Sequence, residues 1–319
     1  MTDHAVGVDV GGTKVAAVLM TREGEIVAKS RRPTPHAVTD PAGAATADVI
    51  LDAVTDLVGD RTDVPVGIGL PGMMTRAGVL AYAPNLPSAN GGDFTTLLTT
   101  RRPGLRVACA NDADCAALAE HRFGAARGND HFVMVTLGTG IGGGLVLDGK
   151  LVRGANGFAG EIGHMVLDPR GPKCPCGSRG CWERFASGAG IGRLAREAAA
   201  AGRLPQLVEQ CGDADAVRGE DVTAAAAKGS TEALAVIDEV AWWLAQGVAN
   251  LTAILDVSLV VLGGGLGSAA DLLLPPTRQH LVGMIEGGDV RPVVRLERSV
   301  FAEQAGAIGA AQLAFDAES

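Results

Sequence analysis

Aromatic side chains are scarce in this chain of 319 residues: seven Phe, three Trp and one Tyr amount to 3%. Its core must therefore be largely aliphatic. The 47% hydrophobic content and 45 glycines describe an Ala-, Val-, Leu- and Gly-rich globular protein, neither disordered nor collagen-like. Positive charge is also in short supply. Twenty-seven Lys and Arg against 36 Asp and Glu leave a formal net charge of −9, which argues against nucleic acid or an anionic membrane as the main partner. Small anions stay within reach, because helix ends and glycine loops bind phosphate whatever the net charge. No segment reaches the roughly 18 uninterrupted apolar residues of a membrane span. The opening MTDHAVGVDVGGTK lacks the basic start and apolar run of a signal peptide. A cytoplasmic location is expected, where disulfides are rare and clustered cysteines read as metal ligands.

What the chain does contain is a regular alternation. Apolar strands are expected at 4–10 and 14–20, turned by Gly-Gly-Thr, with a third at 26–33 completing an antiparallel meander. A helix over 41–58, a strand at 64–70, a strand at 105–112 and a helix at 113–123 follow. Residues 131–152 repeat the opening grammar of strand, Gly-Thr-Gly turn and returning strand, then a tight turn at Asp148-Gly149. GVDVGGTKVAAVL and MVTLGTGIGGGLVL thus read as one structural idea used twice, which implies two related lobes. Beyond them, the pattern predicts a helix at 187–201, an irregular polar excursion at 203–222 and a long helix at 231–255 carrying Trp242 and Trp243. A glycine-ended strand at 257–267 and helices at 268–285 and 302–315 close the chain. The alternation makes the fold α/β. A smaller lobe of 1–110 plus 303–319 and a larger one of 111–302 are expected, with the last helix packing back on the first lobe, which has few helices of its own.

Three glycine turns follow apolar strands: DVGGTK at 9–14, LGTGIGGG at 137–144 and LGGGLG at 262–267. Close backbone approach and inward-pointing N–H groups are what phosphates need, and glycine permits both cheaply. None is a Walker A loop or a strand–GxGxxG–helix fingerprint. Any one alone is equally well an ordinary turn. Together, Gly11, Gly12, Thr13, Lys14, Gly138, Thr139, Gly140, Gly264 and Gly265 point to a nucleotide clamped between two lobes. Asp9, ending the first strand, is placed to hold Mg²⁺ through water.

The six cysteines are unevenly spread, since KCPCGSRGCWE crowds Cys174, Cys176 and Cys181 into eight residues. With His164 they give H-x9-C-x-C-x4-C, the N/S donor set of a closed tetrahedral Zn²⁺ site. Four protein ligands leave no open position, so such a zinc is structural. The alternative is buried thiols beside an unrelated histidine. Cys109, Cys115 and Cys211 have no ligand spacing and read as core or bystander thiols. Glu161 lies three residues before His164, and Glu183 two after Cys181. If one imidazole nitrogen binds zinc, the other is fixed as an N–H donor able to hold a hydroxyl. Two carboxylates beside it would accept from neighbouring hydroxyls, a setting that suits a polyol.

These stretches resemble the ROK family (repressor, open reading frame, kinase) of sugar kinases, and within it the ATP-dependent glucokinases. CPCGSRGCWE is similar to the family's CxCGxxGCxE signature, EIGH to its ExGH sugar motif, DVGGTK to its first phosphate motif, and LGTGIGGG and LGGGLG to the second phosphate and adenosine segments. The likeness runs from about residue 5 to 315. It implies a two-lobed, actin-like, ribonuclease H-type α/β fold with a cleft between lobes and a structural zinc loop. It also implies transfer of the ATP γ-phosphoryl group, with Mg²⁺, to the 6-hydroxyl of glucose. Asp112 of the Asn-Asp pair would be the general base. Asn111, Glu161, His164 and Glu183 would hold the sugar, with Gly72 close by. On spacing alone Asp112 reads first as a helix N-cap, and it is the resemblance that favours the base. Thr75 stands where many relatives carry Asp.

N-acetylmannosamine, N-acetylglucosamine, mannose, allose and fructose kinases share these motifs, and polyphosphate could replace ATP at glycine loops that bind phosphates. A sugar-sensing ROK regulator is the other reading. Only eight residues precede Asp9, however, so no DNA-binding module is expected. An Hsp70- or actin-like ATPase would have no use for the zinc–glutamate arrangement. The family commonly forms dimers or tetramers, so a homo-oligomer is expected.

Overall fold

The computed structural model describes residues 2–35, 41–265, 269–288 and 290–318. They fall into two compact units, Met1–Asp130 with Gly144–Gly160 and Glu303–Ser319, and His131–Gly143 with Glu161–Ala302. In the first unit β1 (His4–Val10), β2 (Lys14–Thr21) and β3 (Ile26–Pro33) form an antiparallel meander, followed by α1 (Ala44–Val58) and β4 (Val66–Leu70). A small sheet of β5 (Met73–Met74), β6 (Val79–Tyr82) and β7 (Gly92–Asp93) leads to α2 (Phe94–Arg101), β8 (Val107–Asn111) and α3 (Asp112–Phe123). The second unit opens with β9 (Phe132–Leu137). β10 (Ile141–Leu147) starts there and ends in the first unit, where β11 (Lys150–Leu151) also lies. Then come α4 (Glu183–Ala186), α5 (Gly188–Ala200), α6 (Pro205–Cys211), α7 (Gly219–Ala227), α8 (Thr231–Leu255), β12 (Leu259–Gly263), α9 (Ala269–Val282) and β13 (Arg295–Arg298). α10 (Ala305–Asp316) returns the chain to the first unit.

The first sheet has the order β3-β2-β1-β4-β8, with β4 parallel to both β1 and β8. Its centre is buried on both faces: Val6, Val8, Val66, Ile68 and Leu70 line one, and Ala5, Gly7 and Gly67 the other, whereas β3 alternates half-buried and exposed residues at the edge. The second sheet has the order β11-β10-β9-β12-β13, with β12 parallel to β9 and β13. One plan is thus used twice, a hairpin extending one flank and parallel strands the other, which is the ribonuclease H-type arrangement. Several of the few aromatics go to the interior, with Trp182, Phe94, Phe132 and Phe315 among the largest fully buried side chains, whereas Tyr82 and Trp242 are exposed. Among the described residues no helix is long and apolar enough to cross a membrane.

α10 lies directly on the first sheet because two strand glycines leave room for its backbone. A Cβ at Gly7 would sit 1.9 Å from the Ala307 carbonyl oxygen, and one at Gly67 only 1.7 Å from that of Ala310. On the helix side, a Cβ at Gly309 would meet the Cys115 carbonyl oxygen of α3 at 1.6 Å. α10 therefore packs on β1, β4 and α3 together. This contact draws α3 into the first unit, which extends through Asp130 where the sequence drew a boundary at 110/111.

One expectation is corrected. Residues 203–222 are not irregular: α6 starts with Pro205 in its first turn, and α7 begins where the Asp221 carboxylate accepts the backbone N–H of Arg218 at 2.8 Å. The polar composition concealed a sparse set of anchors, Leu204, Leu207, Val217 and Val222, all buried. β13, with its polar Arg-Leu-Glu-Arg sequence, was also not foreseen. Leu266 and Gly267 of the third glycine turn, and Ser268 of the following expected helix, lie outside the described residues.

Candidate active site

Asp9 sits near the C-terminal end of β1, in register with Ala16 and Gly69. Burial, with a contribution from the charge of Asp112, pushes its carboxyl up to about 7 against a pull from Lys14 in the other direction. Two neighbouring carboxylates in a desolvated setting are chemistry that a divalent cation relieves, so the donor set fits Mg²⁺. Asp112 is the first residue of α3, but the N-cap is Asn111, whose Oδ1 accepts from Ala113 N at 2.7 Å and Asp114 N at 3.2 Å. The N-cap position thus belongs to Asn111, while Asp112 Oδ1 also accepts from Ala113 N at 2.9 Å, so both side chains meet the open end of α3. Asn111 Nδ2 also donates to the Gly72 carbonyl at 2.9 Å, so the Pro-Gly turn and the start of α3 are one piece. Thr75 supports the next turn, accepting Val79 N on Oγ1 at 3.0 Å.

The first glycine turn is closed by Gly11 N to Lys14 O at 2.8 Å and clamped by Thr34, whose Oγ1 donates to Gly11 O at 2.6 Å. Thr13 is exposed at its tip, and Gly12 lies against Asn85. Lys14 Nζ pairs with Glu303 Oε2 at 2.5 Å. In the second unit, the turn of Gly138, Thr139 and Gly140 is tied to the start of α5 by Gly188 N to Gly138 O at 2.8 Å. Gly264 has a positive φ of 92°, and an added Cβ would lie 2.6 Å from the Leu137 carbonyl oxygen, so the second and third glycine turns are neighbours. Gly265 beside it is exposed.

His164 ends a single 3-10 turn, Ile162–His164, and the cysteine loop folds back along 165–168 through Trp182 N to Met165 O and Leu167 N to Gly180 O, each 2.8 Å. Cys174 N to Ser178 O at 2.9 Å tightens the loop tip, where Gly177 takes a φ of 95°. One donor atom each from His164, Cys174, Cys176 and Cys181 lies within 4.8 Å of all the others. The Cys176–Cys181 sulfur separation of 3.6 Å excludes a disulfide and is close to the ~3.8 Å edge of a tetrahedron with 2.3 Å Zn–S bonds. Burial pushes the Cys174 and Cys181 thiols up, as expected of thiolates that require a cation beside them. The four residues fit zinc.

Around that cluster the imidazole is oriented. His164 Nδ1 lies 3.9 Å from Cys174 Sγ, and Nε2 lies 3.8 Å from Glu161 Oε2. Glu183 opens α4 with Oε1 3.1 Å from Cys174 Sγ and 4.0 Å from His164 Nδ1. Its other oxygen abuts the second glycine turn, where a Cβ at Gly140 would be 2.6 Å from Oε2. Burial raises the Glu161 carboxyl; nearby His164 lowers it and Glu183 raises it further.

The model of the ROK family matches residues 5–317. The chain belongs to the ROK family. A glucokinase of Streptomyces coelicolor is 37% identical over 97% of this chain and 96% of its own length. One of Thermotoga maritima is 36% identical over the same shares. Among solved structures, a ROK family glucokinase from Streptomyces griseus in complex with glucose and AMPPNP superimposes with a TM-score of 0.83 at 35% identity, covering 98% of this chain and 99% of its own. For a ROK chain, two groups escaped the sequence reading. Glu303, in the 3-10 turn Ala302–Gln304, and Gly306, in the first turn of the last helix, are far in sequence from Lys14 and Asp9, which they contact. The Gly140–Glu183 contact was hidden for the same reason, although Gly140 lies in LGTGIGGG and Glu183 in CPCGSRGCWE.

Proposed function

We infer that this chain is an ATP-dependent glucokinase, moving the γ-phosphoryl group of ATP to the 6-hydroxyl of glucose. The observation that carries this reading is the two-sided imidazole of His164, with Nδ1 toward the Cys174 thiol of the cysteine cluster and Nε2 toward Glu161. Zinc, when bound, fixes the ring with Nε2 as the protonated, donating nitrogen. That N–H then donates to a sugar hydroxyl while Glu161 and Glu183 accept from others, leaving no carboxylate unpaired. The relatives named glucokinase, one of them solved with glucose and AMPPNP, support glucose as the acceptor and ATP as the donor.

In this reading Asp112 takes the proton from the 6-hydroxyl late in transfer, a role worth roughly 10²–10⁴-fold in rate. Asn111 is a positioning group as much as a sugar contact, because its amide is engaged with Gly72 and the first turn of α3. Asp9 holds Mg²⁺, and Gly11, Gly12, Thr13, Lys14, Gly138, Thr139, Gly140, Gly264 and Gly265 serve the nucleotide. The protein's contribution is mostly positioning and charge neutralisation, as phosphoryl transfer requires. We place the enzyme in the cytoplasm as a homo-oligomer, a dimer or tetramer, which light scattering tests.

The deciding assay offers glucose, mannose, fructose, N-acetylmannosamine and N-acetylglucosamine with ATP and Mg²⁺, and glucose with polyphosphate. Highest kcat/KM with glucose and ATP supports the reading. A preference for another sugar overturns the acceptor, and absence of sugar-dependent ADP release overturns the kinase assignment.

A further inference from the structure

The carboxylate of Asp9 occupies the space in which Gly306 has no side chain. A Cβ at Gly306 would lie 2.6 Å from Asp9 Cγ, 2.7 Å from Oδ1 and 2.9 Å from Oδ2. Contacts this short force something to move, and neither backbone is free to do so. Asp9 is held in β1 by pairing to Ala16 on one side and Gly69 on the other. α10 is pinned on the sheet at Gly7 and Gly67 and on α3 at Gly309, where carbonyl oxygens already approach to 1.6–1.9 Å of where a Cβ would stand. A methyl group at 306 therefore has one thing it can displace, the short carboxylate, by rotation about χ1.

We propose that Gly306 is a positioning residue for the Mg²⁺–nucleotide: the side chain it lacks leaves the space that sets the direction of the Asp9 carboxylate. The inference rests on the reading of Asp9 as the cation's residue. The same segment of chain bears on the other end of the first glycine turn, because Glu303 holds Lys14. The last helix thus does more than cover the sheet; its first turn and the 3-10 turn before it define how the turn after β1 presents its two charged groups.

The test compares the full-length parent, Gly306→Ala, Asp9→Ala and the double variant, measuring affinity for MgADP and for glucose by calorimetry, and thermal melting without ligand. Gly306→Ala is expected to weaken MgADP roughly as much as Asp9→Ala does, with glucose affinity unchanged. The double variant should bind MgADP no worse than Asp9→Ala, the non-additivity of two changes that act through one group. Melting gives a readout independent of binding: Gly306→Ala should lower the midpoint in the parent and have little effect once the Asp9 carboxylate is gone. If Gly306→Ala does not fold, recovery of folding in the double variant supports the proposal, and failure to recover overturns it. An equal penalty in both backgrounds, or none in either, also overturns it. Should Asp9→Ala bind MgADP like the parent, the reading of Asp9 fails and the inference falls with it. If Asp9→Ala weakens binding and Gly306→Ala does not, only the inference fails.

Discussion

His164 presents Nε2 to Glu161 Oε2 at 3.8 Å, across the ring from the nitrogen that faces the thiols. The histidine therefore joins a metal cluster to a carboxylate, and loss of the metal should be felt as loss of sugar affinity. Cys176→Ala is expected to abolish zinc retention by metal analysis and to raise KM for glucose by at least roughly 10-fold, with a smaller effect on kcat. Thiol counting checks the same point. Cys109, which burial pushes up to about 12, and the buried Cys115 should stay unreactive in the folded protein. Chelation of the metal should then expose Cys174, Cys176 and Cys181 to the reagent. Zinc content and KM both unchanged in Cys176→Ala would remove this ligand from the account.

Gly140 offers a test inside the second unit. Its added methyl would press on Glu183 Oε2 at 2.6 Å, and Glu183 cannot retreat toward Cys174, whose sulfur already lies 3.1 Å from Oε1. Gly140→Ala should therefore weaken glucose binding several-fold. Gly138→Ala, where nothing lies within 4 Å of an added Cβ, should leave glucose affinity as it is. Equal glucose affinity in the two variants would show that the Gly140–Glu183 contact has no part in holding the sugar.

Asp9 gives the metal-free protein a pH dependence of definite sign. Its carboxyl is raised from 3.8 to about 7 in the folded state, chiefly by burial. Between those values the unfolded chain has lost the proton that the folded one keeps, so the stabilising contribution is complete below 3.8 and is lost as pH rises to about 7. A shift of this size corresponds to about 4 kcal/mol over the whole window. Urea unfolding of the metal-free protein across that range should show the parent losing stability relative to Asp9→Asn as pH increases. Parallel curves, or a gain relative to Asp9→Asn, would contradict the environment assigned to Asp9.

Much of this was legible in the sequence because it is local. The strand–turn–strand pattern around 11–13 and again around 138–140 needed only apolar runs broken by glycine, and the ligand loop needed only cysteine spacing. Asn111 rather than Asp112 as cap was less visible, since both residues are good caps and only the backbone decides between them. α6 and α7 were missed because four buried residues in a polar stretch do not make a period. Contacts between distant segments were beyond reach: Gly306 with Asp9, Glu303 with Lys14, and α3 with the last helix all depend on how the chain returns to its first sheet.

We propose that Asp112 deprotonates the 6-hydroxyl of a sugar held by His164, Glu161 and Glu183. Phosphorus and proton NMR of the product formed from glucose, ATP and Mg²⁺, for the parent and for Asp112→Asn, test it most directly, with glucose binding to both measured by calorimetry. A phosphate ester coupled to the C6 protons is expected in the parent. In Asp112→Asn the rate should fall by roughly 10²–10⁴-fold with glucose still bound. A product phosphorylated at another carbon, or a variant that turns over near the parent rate, would contradict it.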